Sequence, residues 1–305
     1  MLVTHPLTSW LSFGAIIVVL LAVELGVLSR LRSISLRRSA WWSAAVIASA
    51  AVFGVVLLFT EGDAPAMQFA TGYVVEFSLS VDNLLVFIMV LHYFAVPAAL
   101  QPTAIKWGIL GAVLMRALVI GAGTMILHKL SWVIYLLGAL LIVTGIRMLF
   151  HAGDAQVRVE RNPVLRLARR LLPITHEFSG RAFFVRRAGR LAATPLLLVL
   201  LVIEWTDLMF ATDSIPAIFA ITRDPFLVYT SNILAVMGLR ALFFVLAAMI
   251  ARFTYLRFGV AAVLVLVGAK MLIGRWATVS TGASLIVIVL VLGMSVAASM
   301  LRTDE

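Results

Sequence analysis

Long apolar runs separated by short polar interruptions make up most of this chain. Nine of them, at about 10–29, 41–59, 69–94, 105–127, 131–150, 195–221, 228–250, 255–273 and 279–301, approach or exceed 20 residues. A helix of roughly 20 apolar residues crosses a hydrocarbon core of about 30 Å. The pattern therefore predicts an all-α polytopic membrane protein with about nine transmembrane helices. One stretch departs from it: between 151 and 194, Val164, Leu165, Leu167, Leu171 and Leu172 alternate with Arg161, Arg166, Arg169 and Arg170, as in an amphipathic segment.

Composition agrees, at 63% hydrophobic and 12% charged residues. The net charge of +10 does not imply nucleic acid, because Lys and Arg cluster in short loops, where they report topology. Arg30, Arg32, Arg37 and Arg38 follow the first run, and Glu61 and Asp63 follow the second. Nine arginines lie between 151 and 194. The positive-inside rule then puts the N-terminus outside and the C-terminus in the cytoplasm. The basic connection is expected to face the cytoplasm and touch anionic lipid. No basic stretch precedes the first apolar run, so a span is expected there instead of a cleaved signal peptide. Cysteine is absent, which excludes disulfides and thiolate metal sites.

An internal repeat organises the middle of the chain. Ile109-Leu110 with Arg116-Ala117-Leu118 recurs as Ile233-Leu234 with Arg240-Ala241-Leu242, and Gly145, Arg147, Met148 and Leu149 match Gly268, Lys270, Met271 and Leu272. An odd number of helices per unit, with an inside connection between units, forces opposite orientations. The expected division is an N-terminal two-helix hairpin (1–66), a first three-helix repeat (67–150), the basic cytoplasmic loop (151–194), a second, inverted three-helix repeat (195–275) and a C-terminal helix (276–305).

Both repeats carry acids inside their first span. Glu76-Phe-Ser-Leu-Ser-Val-Asp82-Asn83 is echoed by Asp207-Leu-Met-Phe-Ala-Thr212-Asp213-Ser214, preceded by Glu204. Five uncompensated carboxylates at span centres would cost about 12 to 18 kcal/mol. They must share protons, face a wet cavity, pair with cations or hold a metal. Spacing places Glu76 with Asn83, and Asp207 with Ser214, on one helix face; Asp82 and Asp213 join them if each helix breaks locally. Pro216 supplies a cause for a break by freeing the carbonyl of Thr212, and Ser78, Ser80 and Asn83 a weaker one in the first motif. Carboxylates, an amide oxygen, a hydroxyl and a carbonyl form an all-oxygen set suited to Mn²⁺, Mg²⁺ or Ca²⁺. Arg116 and Arg240 are the natural counter-charges, either neutralising an empty site or forming permanent structural pairs.

These motifs, with Thr230 to Arg240 and the inner loop Asn162 to Pro173 and Phe183-Phe184-Val185-Arg186, resemble the TerC family of integral membrane proteins over roughly residues 70 to 275. The resemblance implies a transporter similar to the LysE type that exports manganese across the bacterial inner membrane, with Mn²⁺ as substrate and no resident cofactor. Carried over by motif, the implied site residues are Glu76, Asp82, Asn83, Asp207, Asp213 and Ser214, with Glu204 beside them. Thr212 stands where the family often has Val. Tellurium resistance names the family, but a carboxylate-lined site repels tellurite. Other functions remain open: transport of another cation such as Ca²⁺, a membrane interaction or assembly factor working with the secretion machinery, or an intramembrane aspartyl protease. No enzyme is expected, because the Gly-x-Gly-Asp signature of such proteases is missing.

Overall fold

A computed structural model describes residues 5–23, 36–130, 132–150, 162–175, 177–187, 190–249, 255–273 and 280–301. Among them run ten helices: α1 (Leu7–Val23), α2 (Leu36–Glu61), α3 (Asp63–Tyr93), α4 (Gln101–Lys129), α5 (Val133–Phe150), α6 (Pro163–Leu171), α7 (Pro195–Phe219), α8 (Pro225–Met249), α9 (Leu256–Ile273) and α10 (Thr281–Leu301). Nine coincide with the nine expected spans. The tenth, α6, is the amphipathic segment. Five are long and apolar enough to cross a membrane by length and composition, and α1 and parts of α8 and α9 are shorter apolar helices. α3, with 31 residues, is about 46 Å long, more than the roughly 30 Å of a hydrocarbon core.

Local chemistry explains several boundaries. Pro sits at the first or second position of α4, α6 and α7, where its missing N–H costs no helical bond. Asn162 caps α6 by accepting from the amides of Val164 and Leu165. Asp224 does the same for Phe226 at the start of α8. Gly62, at φ 93°, adopts a conformation open to glycine and turns the chain from α2 directly into α3.

Packing pairs the two repeats helix by helix. α5 lies along α9, α3 along α8 and α4 along α7, while α2 and α10 flank the bundle against α8 and α9. At the α5–α9 crossing the backbones touch. A Cβ on Gly138 would stand 3.1 Å from the carbonyl of Gly268, and one on Gly145 would stand 2.7 Å from that of Ala261. The start of one helix therefore meets the end of the other. α5 and α9 run antiparallel, the relation that inverted repeats require. By the repeat offset Gly145 is equivalent to Gly268 and Gly138 to Ala261, so the two contacts are images of each other.

One expectation needs correction. α3 and α7 are continuous helices through both acid motifs. Pro216 lies within one turn of the end of α7 and removes a single terminal bond, too little to break the helix. Ser78 bonds back to Val74 inside a regular helix, and Ser80 bonds a side chain instead of the backbone. Within this all-α architecture the basic connection also carries a short antiparallel hairpin of strands β1 (Phe184–Arg187) and β2 (Arg190–Ala193).

Candidate functional site

The first acid motif enters the protein interior on α3. Glu76 is fully buried, and Ser80, one turn later, donates its hydroxyl to Glu76 Oε1 at 2.9 Å. From α4, Arg116 reaches the same oxygen with Nη1. That nitrogen also donates to Asn232 Oδ1 on α8 at 2.7 Å, and Nη2 donates to Asp207 Oδ1 on α7 at 3.3 Å. Arg116 is 1% exposed and Asp207 4%. One guanidinium thus ties together four helices, two from each repeat. Its planar, rigid fork of five N–H donors serves these acceptors from one fixed position, whereas an ammonium has three donors on a flexible stem.

The network is unsaturated among both acceptors and donors. Glu76 Oε2, Asp207 Oδ2, Glu204 Oε2 and Ser214 Oγ, and the donors Arg116 Nε and Asn232 Nδ2, are all buried without a hydrogen-bond partner. Interiors rarely leave such groups unmet, and each calls for a reason. Two carboxylates share one guanidinium, so the ionised group carries a net negative charge. Glu204 adds a third acid one turn before Asp207. Its carboxylate rests in a notch on α4, where any Cβ at Gly111 would fall inside the 3.0 Å that real Cβ contacts do not reach. Gly111 is present because that carboxylate needs the space.

The structure thus brings Glu76, Asp207 and Arg116 together, with Glu204 one turn before Asp207 on α7. Ser214 is buried on α7, seven residues beyond Asp207. Thr212 has an exposed side chain whose hydroxyl donates to the Met209 carbonyl of its own helix. The side chains of Asp82, Asn83, Asp213 and Arg240 lie outside the described residues. Among the described residues no three Asp, Glu or His side chains gather as a metal cage. The acids are held by a guanidinium.

Sequence reasoning missed Asn232 as a partner of Arg116. The signal was present as a departure from the repeat, since the offset that equates Arg116 with Arg240 equates Gly108 with Asn232. It also missed Tyr73, which stands where the second repeat has Glu204. The Tyr73 hydroxyl is buried without a partner, in a file of rings running Phe69, Tyr73, Phe77 along α3. At one end of the bundle, His5 lies between Asp224 Oδ2 at 2.9 Å and Glu61 Oε1 at 3.3 Å and clasps α1 to α2 and α8. Both ring nitrogens can donate only in the imidazolium form.

Against known proteins, the model of the integral membrane protein TerC family matches residues 61–305. The chain is 43% identical over 295 residues to the uncharacterized membrane protein STKORF319 of Myxococcus xanthus, covering 96% of this chain and 92% of that protein. It is 40% identical over 274 residues to the proposed membrane-bound redox modulator Alx of Escherichia coli (strain K12), covering 87% and 85%. A membrane protein of Rickettsia felis is 35% identical over 297 residues, covering 97% and 98%. No solved structure matches the chain.

Proposed function

This chain belongs to the integral membrane protein TerC family, and from that membership we propose that it is a secondary transporter, not an enzyme, exporting a divalent cation. Mn²⁺ is the substrate that the acid motifs and the family favour, ahead of Ca²⁺. It would leave the cytoplasm across the bacterial inner membrane, with the N-terminus outside and the C-terminus inside, in exchange for protons.

The observation that supports this reading is the meeting of Glu76 and Asp207. They occupy equivalent places in the two repeats, share one counter-charge, and each keeps a buried oxygen without a partner. A pair used only to hold helices together would spend both oxygens of each acid on donors. Inverted-repeat transporters place the substrate where the repeats meet. In the exchange, Arg116 neutralises the acids when the site is empty. A hard cation displaces the guanidinium and takes the carboxylate oxygens, with Asp82, Asn83, Asp213 and Ser214 as the further oxygen donors. Protons return the acids to neutrality once the cation has left.

The Alx relatives are named for redox modulation. A chain without cysteine has no thiol to oxidise, so a shared effect would run through the metal that it moves. The test is Mn²⁺ flux into proteoliposomes containing a metal indicator and a pH dye. Flux should carry a counter-flow of protons and fall sharply in Glu76→Gln and Asp207→Asn. Unchanged flux in the double variant would remove the site from this location, and no flux of any divalent cation in the native protein would favour the interaction-factor reading.

A further inference from the structure

The basic connection carries two separate elements with the same surface chemistry. On α6, Leu165 and Ala168 face inward and pack with α7. Successive residues turn by 100°, which divides the helix into three sectors. Arg166, Arg169 and Arg170 occupy the second, all exposed. The third holds Leu167 and Leu171, one turn apart and 54% and 70% exposed.

The hairpin repeats this arrangement. In its register Arg186 is paired with Leu191, and paired residues share a face, as does Phe184 two places away. Phe184 is 45% exposed, Leu191 is 55% exposed, and Arg186 is exposed between them. An edge-on contact between Phe183 and Trp107, ring centroids 5.9 Å apart, fixes the hairpin to the first turns of α4. The backbone of Thr194, just before α7, bonds to Phe183 at 2.9 Å. α6 and the hairpin thus sit where two apolar helices, α4 and α7, begin.

Exposed leucine and phenylalanine beside arginine, at the mouth of spanning helices, match one environment. That is the boundary between acyl chains and anionic headgroups, where apolar side chains enter the hydrocarbon and guanidiniums meet phosphate. We infer that α6 and the β1–β2 hairpin form an interfacial plate that binds the anionic lipid of the adjoining leaflet. The plate is independent of the cation site. Its arginines have a lipid partner and its leucines have a place out of water.

The cysteine-free chain allows a direct test. Single variants Leu171→Cys and Leu191→Cys carry an environment-sensitive fluorophore in full-length protein reconstituted into nanodiscs of phosphatidylcholine, with or without phosphatidylglycerol. A spin-labelled lipid serves as quencher. Both probes should be blue-shifted and quenched when phosphatidylglycerol is present. Each of Arg166→Gln, Arg169→Gln and Arg170→Gln should lower the equilibrium constant for the quenched state by about five-fold, the effect of one basic residue near an anionic surface. These arginines are exposed and outside the packed face of α6, and an unchanged elution profile verifies the fold. Probes that stay in water in both lipids overturn the inference. So does quenching that ignores lipid charge. Protection by a soluble acidic peptide without lipid quenching would assign the plate to a protein partner instead.

Discussion

Replacing Gly111 by Ala adds a single methyl group and isolates the role of Glu204. The new Cβ would overlap all three carboxylate atoms of Glu204, each inside 3.0 Å. α4 cannot retreat easily, because Arg116, five residues on, is bonded to three other helices. The carboxylate, at the end of a flexible side chain, must move instead. Overpacking of this kind costs about 1–3 kcal/mol, whereas Ala over Gly in a helix interior recovers about 1 kcal/mol. The protein should therefore stay folded, within about 2 kcal/mol of the native stability, with Glu204 displaced. If Glu204 serves the transported cation, the rate should fall about ten-fold, equivalent to about 1.4 kcal/mol in the barrier. Mn²⁺ flux in proteoliposomes, with thermal unfolding in detergent alongside, reads both quantities. A double-mutant cycle supplies the control. Glu204→Asp, one methylene shorter, should restore much of the rate in the Gly111→Ala background, and Glu204→Gln should cost little more there than the Gly111→Ala change already does. A Gly111→Ala protein that transports at the native rate would refute the reasoning, as would additive losses with Glu204→Gln.

Arg116→Gln removes the donor that four helices share and leaves two buried carboxylates facing one another. Unfolding in detergent should show a loss of about 3–5 kcal/mol, and Arg116→Lys should not restore it. Asn232→Leu strips Arg116 of its neutral acceptor and should destabilise by about 1–3 kcal/mol, while Thr212→Val, at an exposed position, should stay within about 0.5 kcal/mol by the same measurement. Gly268→Ala drives a methyl to 2.6 Å from the Gly138 carbonyl and should lower thermal stability and flux together. Gly293→Ala meets nothing within 4 Å and should leave both unchanged.

The nine apolar helices were legible because length and hydrophobicity carry that signal without help from neighbours. The meeting of Glu76, Asp207 and Arg116 was legible because repetition marks equivalent places before any contact is known. Helix continuity was not. Local bond competition argued for breaks, yet Ser80 spends its hydroxyl on Glu76, and Arg116 arriving from α4 meets one oxygen each of Glu76 and Asp207 with both helices intact. Asn232 and the clasp of His5 with Asp224 depend on residues 116 and 219 positions apart in the chain. No local pattern reports such distances. The hairpin was hidden by its brevity, four residues a strand.

The backbone contact between α5 and α9 has a mechanical consequence. Glycine against a carbonyl brings the two helix axes close and leaves a bearing with no side chain of its own, flanked by Leu141, Leu264 and Met271. About 13 Å of α5 extends either side of its middle, so a turn of about 15° swings each end by roughly 3.5 Å. The bearing lies between equivalent helices of the two units, so tilting one way and tilting the other would be related by the pseudo-two-fold axis of the repeats. Their energies would separate wherever the units differ, Asn232 against Gly108 and Glu204 against Tyr73 among those places.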